Sequence, residues 1–173
     1  MITLENLYRS FEELGIQVKT HEHVPVFTVE EAEKIDAEIP GARSKNLFLK
    51  TDKRSYVLVT LLCWDRLDLK AFAKAVGLGK TSFASSEALM EHLGVIPGSV
   101  TPFGLLHPNA RNIPLYIDAE MMEQEWLNFH PLKNDRTTTI HRDDFQKWLQ
   151  KLGQSYEIVQ LPKISKALST ESP

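Results

Sequence analysis

The sequence has one cysteine, no long apolar run and no excess of positive charge. A single cysteine, Cys63, cannot form an internal disulfide or build a cysteine-rich zinc site. No apolar run approaches the roughly 20 residues of a membrane-spanning helix, and the first residues lack the basic and then apolar segments of a signal peptide. Because the net charge is −3, the chain as a whole does not attract nucleic acid. We therefore expect a cytoplasmic protein that does not contact the membrane.

What the chain does have is the composition of one globular domain. Its 173 residues are 42 % hydrophobic and 25 % charged, which is ordinary for such domains. Helical spacing, caps and terminal glycines predict helices over 4–14, 28–39, 68–76, 86–93 and 142–152. Apolar runs predict a hairpin over 45–62 and strands over 16–21, 83–84, 114–118, 126–129, 137–140 and 156–160. This intermixed order predicts an α+β fold, with helices around a mixed, mostly antiparallel sheet over 1–162 and a polar tail over 163–173.

Two familiar kinds of site are weakly suggested and not favoured. The stretch from Gly77 to Thr81 looks like the end of a phosphate-binding loop, but Lys74 stands where that motif needs its first glycine. A helix end and a turn explain these glycines better. His21 and His23 share one face of a strand, yet no third metal ligand is apparent nearby, so we interpret them as structural.

A nucleophilic pair of Cys63 and His107 is also conceivable from the sequence. Cys63 ends an apolar strand and His107 follows a loop. A thiol needs an adjacent base or another cause of a lowered pKa to act as a nucleophile. Free cysteine is more commonly a small buried apolar residue, which is the interpretation that we favour.

Three other elements place hydrogen-bonding groups beside apolar residues. Lys45-Asn46 begins an apolar strand, where an ammonium at the edge of a sheet could meet a phosphate or a carbonyl. The loop from Gly98 to Pro102 could direct backbone N–H groups at an ester oxygen, or could be an ordinary turn. His130 follows Phe129 at the end of a strand and could bind substrate or merely close that strand. Their joint occurrence suggests a site that holds a small substrate for attack by water.

With these elements the chain resembles the aminoacyl-tRNA editing family that includes YbaK and the inserted editing domain of prolyl-tRNA synthetase. The resemblance is strongest to its free-standing ProXp-ala (PrdX) branch, and runs from about Leu4 to Leu161. It is carried by 44–49, by 98–104, and by 128–132 leading into 137–140. The lysine and the glycine-to-proline loop are shared across this superfamily, whereas the segment 128–131 is more typical of the alanine-editing branch.

The resemblance implies a trans-acting hydrolase that deacylates mischarged Ala-tRNA(Pro) by attack of water on the aminoacyl ester, without metal or cofactor. The implied catalytic residues are Lys45, Asn46, Gly98 and His130. The implied substrate-binding residues are Lys50, Thr60, Ser99, Val100, Thr101, Pro102 and Phe129. By analogy, the 2′-hydroxyl of the terminal adenosine helps to activate the water, Lys45 holds polar groups near the ester, and the backbone around Gly98 stabilises the oxyanion.

The resemblance leaves open which amino acid is removed, whether the protein is a catalyst, and which partners it binds. Selection by size predicts a cavity barely wider than a methyl group, which admits alanine and excludes proline. The alternatives are a Cys-tRNA(Pro) or other mischarged-tRNA deacylase of the same family, and a non-catalytic module that binds the tRNA end. The expected partners are the acceptor end of tRNA(Pro), bound by the basic residues Lys45, Lys50, Lys53, Arg54 and Arg66, and, transiently, prolyl-tRNA synthetase.

Overall fold

The computed structural model describes residues 2–26 and 28–164. In these ranges five α-helices accompany an eight-stranded mixed sheet. The helices are α1 (Leu4–Glu12), α2 (Val29–Asp36), α3 (Leu69–Val76), α4 (Ser86–Leu93) and α5 (Arg142–Leu152). The strands are β1 (Lys19–Glu22), β2 (Ala42–Thr51), β3 (Tyr56–Leu62), β4 (Thr81–Phe83), β5 (Leu115–Asp118), β6 (Trp126–Phe129), β7 (Arg136–His141) and β8 (Tyr156–Val159). The predicted α+β class is confirmed.

The sheet has the order β1-β7-β6-β2-β3-β5-β8, and β4 pairs with β2 at its side. Pairing is antiparallel for β1–β7, β2–β3, β2–β4 and β6–β7, and parallel for β2–β6, β3–β5 and β5–β8. The long strand β2 is the central element, because its first residues pair with β6 and its later residues with β3. Residues from distant parts of the chain therefore meet where β2 begins.

Strand β3 is buried on both faces. Its alternate side chains Val57, Val59 and Leu61 pack in one apolar cluster with Phe72 of α3. Leu58 and the other oppositely directed apolar residues of β3 pack in a larger cluster with α1, α4 and α5. Two-sided burial explains why this strand is a continuous apolar run rather than an alternating one.

Local sequence signals set the ends of several helices. The side chain of Thr3 caps α1 and that of Thr28 accepts a hydrogen bond from the backbone N–H of Glu31. Gly77, with φ of 71°, ends α3 in the left-handed conformation, as a helix end rather than a phosphate loop requires. Three short 3-10 helices, Pro102–Leu106, Pro108–Ala110 and Met121–Glu123, were not predicted.

The predicted tail over 163–173 is described only at its start. Lys163 and Ile164 lie beside the turn at 65–67, where Lys163 forms an isolated β-bridge with Leu67. Residues 165–173 lie outside the described residues.

Candidate active site

A cavity of about 310 Å³ lies where β2, β6 and α2 meet. Strand β2 contributes Arg43, Ser44 and Lys45 to its wall, and β6 contributes Asn128 and Phe129. This volume is at the lower end of the roughly 300–1,000 Å³ found for small-molecule sites. Because this volume covers the whole cavity, the expectation of a space barely wider than a methyl group for the amino-acid side chain stays a prediction.

Lys45 borders this cavity at the start of the β2–β3 pairing. Its Nζ atom donates a hydrogen bond to the main-chain oxygen of Asp65, 2.6 Å away. An ammonium group has three N–H donors, so this contact fixes its position while two donors remain for a ligand. The structure thus places a half-buried positive charge at the cavity wall.

Asn46 is linked to the same wall through Ser44. The Asn46 side-chain amide donates to Ser44 Oγ at 3.1 Å, and Ser44 Oγ donates to the main-chain oxygen of Asn128 at 2.8 Å. Asn46 Oδ1 is buried without a hydrogen-bond partner among the described residues. Asn46 is therefore suited to fix the position of Ser44, which borders the cavity, rather than to border the cavity itself.

His130 stands at the end of β6, also in the cavity wall. Its Nδ1 lies 3.0 Å from the carbonyl oxygen of Arg136, which can only accept, so Nδ1 carries the proton. Burial lowers the pKa of His130, and this outweighs the bond to Arg136, which raises it. The neutral ring consequently has a lone pair on Nε2, which makes that atom a hydrogen-bond acceptor.

His23 is a second imidazole of the cavity, with its ring centroid 6.4 Å from that of His130. Its Nδ1 lies 2.8 Å from the carbonyl oxygen of Val24, and its Nε2 lies 2.8 Å from Thr137 Oγ1. With Nδ1 as the donor in a neutral ring, Nε2 accepts from Thr137. Both nitrogens are thus engaged, which favours a structural role for this ring.

Part of the remaining wall is apolar. Ala32 and Ile35 border the cavity from α2, Val26 from the preceding segment, and Phe129 from β6. The Phe129 ring packs 4.8 Å from Phe145, centroid to centroid, and is buried. These residues therefore offer an apolar side chain of a ligand both an aromatic ring held by packing and aliphatic groups of α2.

Two contacts fix the end of α2 and the segment that follows it beside the cavity. Asp36 at the end of α2 forms an ion pair with Arg43 of β2. Asn128 receives a hydrogen bond of 2.6 Å from Thr139 at its Oδ1 and donates one of 3.2 Å from Nδ2 to the carbonyl oxygen of Pro40. Gly41 has φ of 118°, and a Cβ there would lie 2.7 Å from Asn128 Oδ1, so only glycine fits.

The loop from Gly98 to Pro102 does not lie in the described wall of this cavity. Gly98 instead faces Asn134, whose amide donates to the carbonyl oxygen of Val26 at 3.3 Å. Ser99 contributes to a neighbouring depression, and Val100 packs against the main apolar cluster. Thr101 caps the 3-10 helix that begins at Pro102, and both are buried. The catalytic role expected for Gly98 and the substrate contacts expected for Ser99, Val100, Thr101 and Pro102 stay predictions, since the structure places this loop outside the described wall of the cavity.

Lys50 and Thr60 also lie outside the cavity wall formed by the described residues. Lys50 lies five positions along the strand from Lys45, roughly 16 Å at about 3.3 Å per residue, and it is exposed. Thr60 is fully buried and its hydroxyl contacts the sulfur of Met121 at 3.6 Å. The same geometry divides the expected basic surface, since Lys53 and Arg54 lie at the hairpin turn and Lys45 at its other end.

The weaker sequence hypotheses have clear outcomes. His21 and His23 belong to no group of metal-ligating side chains among the described residues. Cys63 borders the cavity, whereas His107 caps the 3-10 helix at 108–110 by accepting from the N–H of Asn109. The structure therefore does not form the Cys63–His107 pair.

Several cavity residues were not identified as site residues from sequence. Asp36, Arg43, Ser44 and Thr137 all border it. Ser44 was detectable, because it adjoins Lys45 in the strand that suggested the site. Thr137 could not be assigned to the cavity from strand patterns, because its position depends on the pairing of β7 with β1, which is far away in sequence.

Residues 23–148 match the sequence model of the aminoacyl-tRNA editing domain family. The chain belongs to this family. It is 33 % identical over 151 residues to "Prolyl-tRNA editing protein ProX" of Acetoanaerobium sticklandii, covering 87 % of this chain and 92 % of that protein. It is 34 % identical over 155 residues to "Prolyl-tRNA synthetase associated domain-containing protein 1" of Bos taurus, covering 87 % and 90 %.

The fold is also that of a solved structure described as a candidate trans-editing enzyme for prolyl tRNA synthetase. The TM-score is 0.68 at 21 % identity, with 95 % of this chain and 100 % of that chain covered. Membership of the editing family thus agrees with the resemblance that the sequence motifs suggested. Within the described ranges, no helix is long and apolar enough to cross a bilayer.

Proposed function

We propose that this protein hydrolyses the ester of Ala-tRNA(Pro) in trans. The observation that carries the proposal is the cavity itself, where the Lys45 ammonium and the His130 imidazole stand beside an apolar surface that includes Phe129. An aminoacyl ester has a matching arrangement, with a polar reacting carbon next to a short side chain. The kinship with a protein named for prolyl-tRNA editing supports tRNA(Pro) as the carrier.

The reaction that we propose needs positioned groups rather than a strong protein nucleophile. Holding the ester and a water molecule together supplies much of the rate enhancement. The free donors of Lys45 Nζ stabilise the negative charge that develops on the ester oxygen as water attacks. The 2′-hydroxyl of the terminal adenosine assists the water, as in the family analogy.

His130 has a binding role in this proposal. Its Nε2 lone pair accepts a hydrogen bond from the α-ammonium group of the alanyl moiety or from the ribose hydroxyl. Asn46 and Ser44 hold the strand from which Lys45 projects. This proposal assigns the oxyanion to Lys45 rather than to the backbone around Gly98, because the Gly98 loop lies outside the described cavity wall.

The proposed amino-acid preference follows from the apolar end of the cavity. A methyl group contacts Ala32, Ile35 and Phe129, while a five-membered proline ring must displace part of that surface. One methylene changes binding by only about 1–3 kcal/mol, so glycine and serine are expected to be weaker but real substrates.

The experiment is a comparison of deacylation rates for alanyl-, cysteinyl- and seryl-tRNA(Pro) under identical conditions. The proposal predicts that the alanyl ester is cleaved fastest. A faster cysteinyl ester would instead assign the protein to Cys-tRNA(Pro) editing, and binding without hydrolysis of any ester would make it a tRNA-end binding module. The same assay with added prolyl-tRNA synthetase tests whether that enzyme is a transient partner.

A further inference from the structure

The ammonium group of Lys163 lies among three carboxylates. Its Nζ atom is 2.6 Å from Asp118 Oδ2, 3.0 Å from Glu120 Oε2 and 3.2 Å from Asp65 Oδ2. Asp118 is fully buried and Asp65 nearly so. Burial opposes the charge on Lys163, but the bonds to the three acids outweigh this and raise its pKa well above the ordinary value. Lys163 is therefore the cation that makes the buried acids tolerable.

Backbone contacts join the segment that carries Lys163, residues 161–164, to the turn after β3. The N–H of Asp68 donates to the carbonyl oxygen of Pro162 at 3.0 Å, and the N–H of Ile164 donates to that of Arg66 at 2.8 Å. Leu161 is buried in the apolar cluster that contains Phe72. We call residues 161–164 the strap, since they hold the turn at 65–68 from one side.

The turn that the strap holds is also the one that fixes Lys45. The main-chain oxygen of Asp65 accepts the hydrogen bond from Lys45 Nζ, while the side chain of the same residue pairs with Lys163. Asp65 thus connects two lysines, one in the cavity wall and one in the strap. The backbone N–H of Asp65 donates to the carbonyl oxygen of Leu62 at 3.0 Å, and this bond closes the turn.

We propose that Lys163 is a positioning residue for Lys45, acting through Asp65. This inference rests on the proposed function, in which Lys45 stabilises the developing oxyanion. It goes beyond the family match, because the strap lies outside the matched residues 23–148. The strap therefore completes a site whose cavity is formed by earlier parts of the chain.

The consequence of losing this cation follows from electrostatics. One oxygen each of Asp65, Asp118 and Glu120 lies within 4.8 Å of the others. Without Lys163 these like charges repel, and the carboxyl groups either take up a proton or move apart. In both cases the ion pair that ties Asp65 to the strap is lost and the turn is less firmly held. Lys45 then loses its fixed carbonyl partner. Since a displacement of about 1 Å can lower a rate by about 100-fold, we expect a fall in kcat of tenfold or more.

The test compares Lys163→Met, Lys163→Arg and the control Lys147→Met in the full-length protein. Lys147 also donates to a main-chain oxygen, that of Leu14, but far from the cavity. For hydrolysis of Ala-tRNA(Pro), Lys163→Met should lower kcat at least tenfold with KM within about twofold. Lys163→Arg should recover most of the loss, and Lys147→Met should match the wild type. Circular dichroism at the assay temperature verifies that each variant is folded.

A second measurement does not depend on turnover. Acetylation of lysines, followed by mass spectrometry, reports how well Lys45 is held in each folded variant. We expect faster labelling of Lys45 in Lys163→Met and unchanged labelling in Lys147→Met. If the wild type fails to hydrolyse Ala-tRNA(Pro) but Lys45 is labelled faster in Lys163→Met than in the wild type, the proposed function is wrong and the positioning role stands. If the wild type is active and Lys163→Met changes neither kcat nor labelling, the positioning role is wrong.

Discussion

The imidazole of His130 donates from Nδ1 to the carbonyl oxygen of Arg136 at 3.0 Å, so one backbone group determines which ring nitrogen faces a ligand. Burial of the ring lowers the pKa of His130 below its usual value near 6.5. The neutral form, with its acceptor at Nε2, is therefore the state of the folded protein at neutral pH.

This relationship predicts the pH dependence of activity and of stability. Deacylation should persist below pH 6.5 and fall only as His130 becomes protonated, because the charged ring loses its acceptor. Since the folded state binds this proton less readily than the unfolded chain, the free energy of unfolding should fall as pH drops from about 6.5 through the lower pKa of the folded state. An NMR titration of the His130 ring checks the midpoint. A midpoint above 6.5 would contradict the assigned environment.

Asn128 is predicted to support the wall of the cavity rather than to contact substrate. Asn128→Ala removes the partner of Thr139 and of the Pro40 carbonyl, so the free energy of unfolding should fall by about 1–3 kcal/mol, as measured by denaturant titration. Gly41→Ala should be less harmful in this variant than in the wild type, because the added Cβ no longer meets the Asn128 amide. If Gly41→Ala lowers the free energy of unfolding equally in the wild type and in Asn128→Ala, the close approach of residue 41 to Asn128 is refuted.

Cys63 is predicted to border the site without reacting there. Because it is the sole cysteine of the chain, iodoacetamide modifies one defined position, and the added group should block the cavity and abolish deacylation. Cys63→Ser should keep activity within a few fold and should resist the reagent. An inactive Cys63→Ser variant that remains folded would indicate that the thiol takes part in the chemistry.

Ile35 is predicted to limit the size of the amino acid that is accepted. Ile35→Ala widens the apolar end of the cavity, so hydrolysis of Pro-tRNA(Pro) should rise relative to that of Ala-tRNA(Pro), by an amount corresponding to about 1–3 kcal/mol. The ratio of the two single-turnover rates measures this change. Ile158→Ala is the control, since Ile158 is exposed on β8, and its ratio should equal that of the wild type. An unchanged ratio in Ile35→Ala would exclude this residue from selection.

The secondary structure was readable from sequence because its signals are local. The helix 142–152 was predicted with the bounds that the structure shows, from apolar spacing and from Gly153 at its end. Lys45 and His130 were identifiable because polar groups interrupt or end apolar strands at those positions. These features depend on few neighbours along the chain.

The positions of the residues that lie outside the described cavity wall depend instead on packing between distant segments. Thr60 could not be placed by alternation along its strand, because packing against other elements buries both faces of β3. Gly98 could not be placed either, since its loop lies beside Asn134 and leads into a 3-10 helix that no periodic pattern indicates. Lys163 was assigned to a polar tail because nothing in the sequence indicates that folding brings Asp65, Asp118 and Glu120 around it.

The central claim is that Lys45 and the cavity beside it hydrolyse an alanyl ester and spare the cognate one. The most direct measurement follows Ala-tRNA(Pro) and Pro-tRNA(Pro) side by side with the wild type, Lys45→Ala and the matched control Lys50→Ala. We predict rapid loss of the alanyl ester alone, a rate at least about 100-fold lower for Lys45→Ala, and wild-type chemistry for Lys50→Ala at saturating tRNA. Intact Ala-tRNA(Pro) after prolonged incubation with excess wild-type protein, or an undiminished rate in Lys45→Ala, would contradict the account.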